Sequence, residues 1–316
     1  MKTLFFASDS FAVEPLEAVL ASRHDIAAFV GRPDRPSGRG LTPSSTPAVE
    51  RARRAGLSIL QPENLTRDCM APLIDELEFD AGVVVAYGGL IPQWLLSLPR
   101  LGFVNLHPSL LPRYRGAAPI ERAIMNGTSV TGVTTIVMTD TLDAGDILLH
   151  REIPVTEEDT AGTLSDRLSH AGGKLLVETL DGLEDGVVSP VPQEEEKATY
   201  APPIRPGEGE IDWCEPAEYI DRLVRAMSPA PGAFTWFRGK RVKIWVAHVT
   251  DVPPEDEPGT IMDLGKEGFI VNTGTTGIQV VTLQPEGKGR MTAAEFSRGQ
   301  RLLIAECFAG SPDARD

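Results

Sequence analysis

The sequence predicts an α/β protein in two parts, an open, mostly parallel sheet flanked by helices and then a small antiparallel β-barrel. Three observations carry this. Short apolar runs alternate with helix-length amphipathic stretches through the first half, a Pro-rich and charged segment with little periodicity follows Asp185, and beyond it short alternating runs are separated by Gly, Pro and Asn turns. The length, 316 residues, also exceeds the usual span of one compact domain.

In chain order, residues 3–7, 26–30, 81–86 and 101–106 read as strands, and 11–22, 46–56 and 67–78 as the helices between them. The run Val83-Val84-Val85-Ala86 is apolar on consecutive rather than alternate residues, which places it between two covered faces and favours parallel pairing. These elements make a first domain over residues 1–189. Pro190, Pro192, the acidic triplet 194–196, Pro202, Pro203 and Pro206 mark residues 190–206 as a linker. The second domain, residues 207–310, holds an amphipathic helix at 216–227 and strands at 233–237, 241–249, 258–263, 268–273 and 277–284. A helix near 292–306 closes it, and 310–316 is expected to fray.

Composition narrows the function classes. Cys69, Cys214 and Cys307 lie far apart and form no CxxC, so neither a disulfide framework nor a cysteine zinc site is expected, and the usage suits a reducing cytosol. The apolar run near the N-terminus is short, and the apolar stretch 81–98 is broken by Gly88, Gly89, Pro92 and Gln93; no membrane span or signal peptide is expected, and the protein reads as cytoplasmic. The net charge of -15 has the wrong sign for a nucleic-acid binder if spread evenly. It is not spread evenly: residues 222–243 contain Arg222, Arg225, Arg238, Lys240, Arg241 and Lys243 and no acid, a local basic surface on an acidic body.

The richest chemistry lies at 105–119, where a strand ends. In open α/β sheets ligands bind outside the carboxyl ends of strands. Asn105 and His107 are two apart, so on an extended strand end both side chains point the same way. An amide donor beside an imidazole can hold a carbonyl oxygen and stabilise the negative charge that grows on it during acyl transfer. The same pair can also simply terminate a strand. Leu142-Asp143-Ala144-Gly145-Asp146 follows another β-like run, and Asp143 can orient the His107 ring; an acidic turn is more often only a turn. The sequence contains no GxSxG, Walker A or HExxH, and no GxGxxG after the first strand, and His24, His150, His170 and His248 have no ligand-like spacing, so no metal is expected. Loop 32–45, rich in Arg, Pro and Gly with Asp34 as its one acid, suits contact with single-stranded nucleotides and phosphates; a solvated Arg-rich turn is the plainer reading.

The run Asn105-Leu106-His107-Pro108-Ser109-Leu110-Leu111-Pro112-Arg113-Tyr114-Arg115-Gly116 closely resembles the active-site signature of the 10-formyltetrahydrofolate-dependent formyltransferases. Leu142-Asp143-Ala144-Gly145-Asp146, with Asp143 lying 36 residues after His107, is similar to the segment that carries that family's aspartate. Within the family the chain looks most like the branch acting on initiator tRNA, through Arg32-Pro33-Asp34-Arg35-Pro36-Ser37-Gly38-Arg39-Gly40, Ala198-Thr199-Tyr200-Ala201-Pro202 and Pro229-Ala230-Pro231-Gly232-Ala233-Phe234-Thr235. The likeness covers about residues 1–308.

The resemblance implies a Rossmann-like catalytic domain joined to an OB-like β-barrel, acting as a monomer without a metal. It implies transfer of formyl from 10-formyltetrahydrofolate to the α-amino group of Met on initiator tRNA, with Asn105, His107 and Asp143 catalytic. Ser109, Leu110, Leu111 and Pro112, with Tyr87, Gly88 and Leu90, would line the folate pocket. Arg35 and Arg39 in the loop and Arg238, Lys240, Arg241 and Lys243 on the barrel would contact tRNA. Two features depart from the family pattern: Phe6-Ala7-Ser8-Asp9-Ser10 stands where Phe-x-Gly-Thr-Pro is usual, and Leu41-Thr42-Pro43 replaces a pair of lysines after Arg39-Gly40. Sibling enzymes that formylate an amino-sugar nucleotide or hydrolyse the folate would keep the three catalytic residues, but they leave the Arg35–Arg39 loop and the basic barrel strip unexplained. A non-catalytic RNA-binding protein on the same fold has no need of the three together.

Overall fold

A computed structural model of the chain describes residues 1–37, 42–74 and 78–309. The chain divides into two units. The first comprises Met1–Pro119, Val130–Pro154 and Ser165–Pro202, and the second comprises Ile120–Ser129, Val155–Leu164 and the chain from Pro203 onward.

The first half alternates strands and helices. Its elements are β1 (Lys2–Ala7), α1 (Val13–Leu20), β2 (Asp25–Val30), β3 (Arg35–Ser37), β4 (Thr42–Ser44), α2 (Pro47–Arg54), β5 (Ile59–Leu60), α3 (Arg67–Ile74) and β6 (Ala81–Val85). There follow α4 (Gln93–Leu96), β7 (Phe103–His107), β8 (Arg115–Gly116), α5 (Pro119–Met125), β9 (Val130–Val137), β10 (Ile147–Pro154), α6 (Ala161–Glu184) and β11 (Tyr200–Ala201). Seven strands form one sheet in the order β10-β9-β7-β6-β1-β2-β5. Pairing is parallel from β5 through to β7 and antiparallel at β7–β9 and β9–β10. The apolar runs behave as the sequence predicts: all five residues of β6 are buried. One face packs Leu4, Phe6, Ala28, Val30, Val84 and Phe103 together, and on the other Phe5 stacks on Phe29. Because β2 and β6 flank β1 on opposite sides, the order reverses there, and a crevice opens beyond the carboxyl ends of β1 and β6.

The structure adds a 24-residue helix, α6, that hydropathy alone does not mark. Its centre is Gly172-Gly173, a poor helical pair by propensity. Packing explains the pair: a Cβ on Gly172 would sit 2.8 Å from a Leu106 methyl, and one on Gly173 3.1 Å from the Glu14 carbonyl oxygen. The bare backbone lets α6 approach β7 and α1 closely, so burial outweighs propensity.

Residues 190–206, expected as a linker, divide between the units. Val191 exchanges backbone hydrogen bonds with Ile147, and β11 pairs in parallel with β8, so 190–202 belong to the first unit. Proline and charge suggest solvated chain, but backbone groups of Val191, Thr199 and Ala201 find partners in the fold.

The second unit contains α7 (Ala217–Ala226), β12 (Ala233–Phe237), β13 (Lys240–Val249), β14 (Ile261–Leu264), β15 (Phe269–Asn272), β16 (Gly277–Pro285), β17 (Met291–Thr292) and α8 (Ala293–Gln300). The antiparallel order is β12-β13-β16-β15-β14, with β17 on β16. Chain near the C-terminus bridges both outer strands: Trp236 and Ala309 exchange backbone bonds, and the Phe308 N–H donates to the Gly259 carbonyl at 2.8 Å. Phe308, 1 % exposed, sits at the centre of an aromatic core with Phe237, Phe269 and Trp213. Helix α8 begins with a Thr292/Glu295 capping box and stops at Arg301, whose φ is +52°, rather than running to 306. The residues beyond it are needed extended, as the bridge.

Candidate active site

Asn105 and His107 lie at the carboxyl end of β7, opposite Ile136 and Thr134 of β9, and the strand's alternation turns both side chains to one face. The His107 ring is buried, 4 % exposed, with Nε2 2.9 Å from the Tyr114 carbonyl oxygen. A carbonyl only accepts, so Nε2 carries a hydrogen and Nδ1 is the atom turned toward the site. The chain reverses sharply at Tyr114, φ +61°, and the turn is anchored where the Tyr114 N–H donates to Thr199 Oγ1 at 2.8 Å.

Asp143 comes from the turn after β9. Its Oδ1 lies 3.5 Å from Asn105 Nδ2 and 3.7 Å from His107 Nδ1, so one carboxylate oxygen faces both partners. The Gly116 N–H donates to the other oxygen, Oδ2, at 2.8 Å. Asp143 is held at φ +50°, an unusual conformation for a residue with a Cβ. Gly145 is required for the turn to pack: a Cβ there would stand 1.7 Å from the Val137 carbonyl oxygen. The three residues singled out for chemistry are thus brought together, by a strand end and a turn distant in sequence. In its charged form His107 would present Nδ1–H beside a carboxylate, and with the Asn105 amide it offers two donors to an oxygen that is gaining negative charge.

The expected folate residues play different parts. Ser109 is fully buried and its hydroxyl donates to the Arg113 carbonyl at 2.6 Å, while its own carbonyl accepts from Thr134 Oγ1 at 2.6 Å. The Leu111 N–H also donates to Thr134 Oγ1, and Pro112 follows it through a cis peptide. Leu110 packs over Gly132, where a Cβ would meet its side chain. These bonds make the segment a scaffold beneath the strand ends. Tyr87 and Gly88 border the crevice at the strand-order reversal, a groove of about 590 Å³ that Ser8, Asp9, Arg32, Arg35 and Ser45 also line. Burial pushes the Tyr87 hydroxyl above its usual pKa, so it stays a neutral donor. Leu90 is exposed at 82 %.

Within the described part of loop 32–45, β3 and β4 pair antiparallel, Arg35 opposite Ser44. Arg35 is exposed, and Arg39 lies outside the described residues. On the second unit, Arg238 is committed to structure: its Nε donates to Glu306 at 3.0 Å and Nη1 to the Gln300 carbonyl. Lys240 is exposed at the start of β13. Arg241 lies over the Phe234 ring at 4.2 Å, and Lys243 over Trp245 at 5.5 Å. Lys243 titrates below the usual lysine range, through burial first and then the neighbouring charges of Arg241 and Arg290.

Arg290 and Gln193 escaped the sequence reading, and Arg32 entered it only as part of loop 32–45. Arg32 reaches the crevice, close enough that a Cβ on Gly89 would lie 2.8 Å from its Nη1. Arg290 stacks at 3.7 Å over Trp245 and joins Arg241 and Lys243, though it is far from them in sequence. Gln193, within the stretch read as linker, bonds the Asp143 turn. Only strand register would have exposed Arg290, and nothing in composition marks Gln193. Among the described residues one grouping, His24, Asp181 and Glu184, has metal-type donors within 4.8 Å, and Arg23 already pairs with both carboxylates.

Comparison with known proteins finds two family matches, formyl transferase over residues 1–180 and the formyl transferase C-terminal domain over residues 203–301. A methionyl-tRNA formyltransferase from Moorella thermoacetica is 42 % identical over 306 residues, covering 97 % of this chain and 98 % of its own length. Another, from Geobacillus thermodenitrificans, is 43 % identical over 303 residues, 96 % of this chain and 95 % of that one. Among solved structures, an N-formyltransferase from Helicobacter canadensis in complex with folinic acid and dTDP-3-aminofucose aligns with a TM-score of 0.66 at 17 % identity, over 90 % of this chain and 99 % of that one. HypX from Aquifex aeolicus in complex with tetrahydrofolic acid aligns with a TM-score of 0.64 at 18 % identity, over 94 % of this chain and 47 % of that one. At such identities these two structures speak for the fold.

Proposed function

The chain belongs to the formyl transferase family, and on that premise we propose that it transfers the formyl group of 10-formyltetrahydrofolate to the α-amino group of methionyl initiator tRNA. The observation that carries the chemistry is the convergence of Asn105 Nδ2 and His107 Nδ1 on one oxygen of Asp143 at the end of β7.

The neutral amine attacks the formyl carbon, forming a C–N bond and placing negative charge on the formyl oxygen. The Asn105 amide and protonated His107 stabilise that oxyanion, a contribution made mainly in the transition state. Asp143 keeps the imidazolium in place and receives the amine proton, through water. Collapse breaks the bond from the formyl carbon to N10, and N10 leaves with the proton that Asp143 received, passed on through water. His107 is oriented for this by the Tyr114 carbonyl, and Asp143 by the Gly116 N–H. The folate is bound along Tyr87, Gly88, Leu90 and the 109–112 segment, with the exposed Leu90 side chain giving its ring apolar cover.

The RNA acceptor is supported by charge. Arg241, Lys243 and Arg290 form a cation cluster on an otherwise acidic protein, suited to phosphates without reading sequence. In this reading Lys240 adds to that contact on the second unit, and Arg35 and Arg39 make contacts of their own from the first. Arg238, tied to Glu306, contributes mainly through the fold. The enzyme acts as a monomer in the cytoplasm; no helix among the described residues is long and apolar enough to cross a membrane.

The test is transfer of radiolabelled formyl from 10-formyltetrahydrofolate to Met-charged initiator tRNA, with Met-charged elongator tRNA and an amino-sugar nucleotide alongside. Label on initiator Met-tRNA is expected. Label on the sugar alone, or release of free formate alone, would move the function to a sibling reaction.

A further inference from the structure

Asp143 stands in a backbone conformation that a side chain disfavours, with φ at +50°, and its Oδ1 lies 3.5 Å from Asn105 Nδ2 and 3.7 Å from His107 Nδ1. Something must hold the turn. The carboxylate is fixed from one side by the Gly116 N–H. From the other side a single carboxamide holds the backbone: Gln193 Nε2 donates to the Asp143 carbonyl at 2.8 Å and to the Gly145 carbonyl at 2.7 Å.

The far end of that side chain is equally engaged. Gln193 Oε1 accepts from Arg115 Nε at 3.2 Å and from Arg115 Nη2 at 2.8 Å. Carbonyls only accept and a guanidinium only donates, so the orientation of the amide is unambiguous. Arg115 is 3 % exposed, and Glu195 grips it with two oxygens, at 2.7 Å from Nη2 and 2.9 Å from Nη1. Arg115 is followed in the chain by Gly116, the residue that donates to Asp143. The bonds therefore close a ring, from the Asp143 carboxylate through Gly116, Arg115 and Gln193 back to the Asp143 carbonyl.

We infer that Gln193 is a positioning residue for the formyl transfer, setting the Asp143 turn so that its carboxylate faces Asn105 and His107. The inference deepens the proposed function and rests on it. It gives the stretch between Val191 and Thr199 a part in catalysis: Gln193 and Glu195 are two apart on one segment, both directed at the same buried guanidinium. The hydrogen bonds of Gln193 reach the reacting groups through the Asp143 turn, so its loss should slow chemistry and leave substrate binding in place.

The test compares Gln193→Glu and Gln193→Met with the wild-type full chain. Glutamate keeps the shape and the oxygen for Arg115 but gives the two carbonyls no donor; methionine keeps the volume and offers neither. Both should lower kcat by about 10- to 100-fold, the scale of misplacing a reacting group by an ångström. KM for 10-formyltetrahydrofolate and for Met-tRNA should stay within about threefold, which a merely structural role would not produce. Glu196→Gln, an exposed neighbour outside this ring, should match wild type. Wild-type kcat in Gln193→Glu, or a change in KM alone, overturns the inference, as does failure of both variants to fold. A wild-type chain that transfers no formyl to Met-tRNA would instead overturn the functional reading beneath it.

Discussion

Around Asp143 the polar groups are spoken for: its carboxylate and its carbonyl both have partners, His107 Nε2 is bonded to Tyr114, and Arg115 is fully gripped. The basic strip of the second unit is built the other way. Arg241 and Arg290 rest on aromatic rings, Lys243 donates to the Pro231 carbonyl, and among the described residues none of the three has an ion-pair partner. A site that stabilises a transient oxyanion needs dipoles fixed in advance, because reorganisation would add to the barrier. A surface that binds phosphates needs uncompensated charge and tolerates imprecision. The contrast predicts that substitutions in the first region change rate and those in the second change affinity.

The largest effect is expected from His107→Ala, which should lower kcat by about 100-fold or more, roughly 2.7 kcal/mol of transition-state stabilisation, with folate affinity nearly unchanged. Steady-state kinetics with both substrates varied checks it. Gly145→Ala comes next. Its Cβ would collide with the Val137 carbonyl oxygen, so the Asp143 turn must shift, and kcat should fall by about 10-fold or more together with a lowered Tm. If Gly145→Ala kept full activity, the turn would not be the fixed element described.

The combined variant Arg241→Ala, Lys243→Ala and Arg290→Ala should raise KM for tRNA and flatten the dependence of binding on salt, by about 0.7 to 0.9 in logarithmic slope for each phosphate no longer neutralised. Binding titrations from low to moderate salt test this, and an unchanged slope would remove the strip from the RNA-binding surface. The smallest effect concerns Glu195. The Arg115 guanidinium holds its carboxyl below the usual glutamate range. A depressed value means the pair stabilises the fold above the ordinary glutamate pKa, about 4.3, and that this contribution is lost as pH falls through the depressed value. The stability difference between wild type and Glu195→Gln should therefore be present at pH 7 and vanish in acid, and it should be modest because Glu195 is mostly exposed.

Much of this architecture was legible in the sequence. The runs at 3–7, 26–30 and 81–86 are strands because consecutive apolar residues need cover on both faces, and the run at 233–237 is likewise buried at four of its five residues. Asn105, His107 and Asp143 were singled out through the resemblance of their segments to the family's; strand alternation and a glycine-bearing turn alone left a purely structural reading open. What sequence did not reveal was set by tertiary contact. Helix α6 survives Gly172-Gly173 only because Leu106 and α1 fill the space the missing side chains leave. Gln193 looked like linker because its partners, Asp143 and Arg115, lie 50 and 78 residues away. Arg290 joins Lys243 only through the β13–β16–β17 pairing.

The most direct test of the division between a rate-setting turn and an affinity-setting surface is the initial rate of formyl transfer at increasing Met-tRNA, with His107→Ala and the Arg241/Lys243/Arg290 variant side by side. His107→Ala should remain slow however much tRNA is supplied, and the triple variant should recover to within about twofold of wild type at saturation. Recovery of His107→Ala, or a triple variant that stays slow at saturating tRNA, would contradict the account.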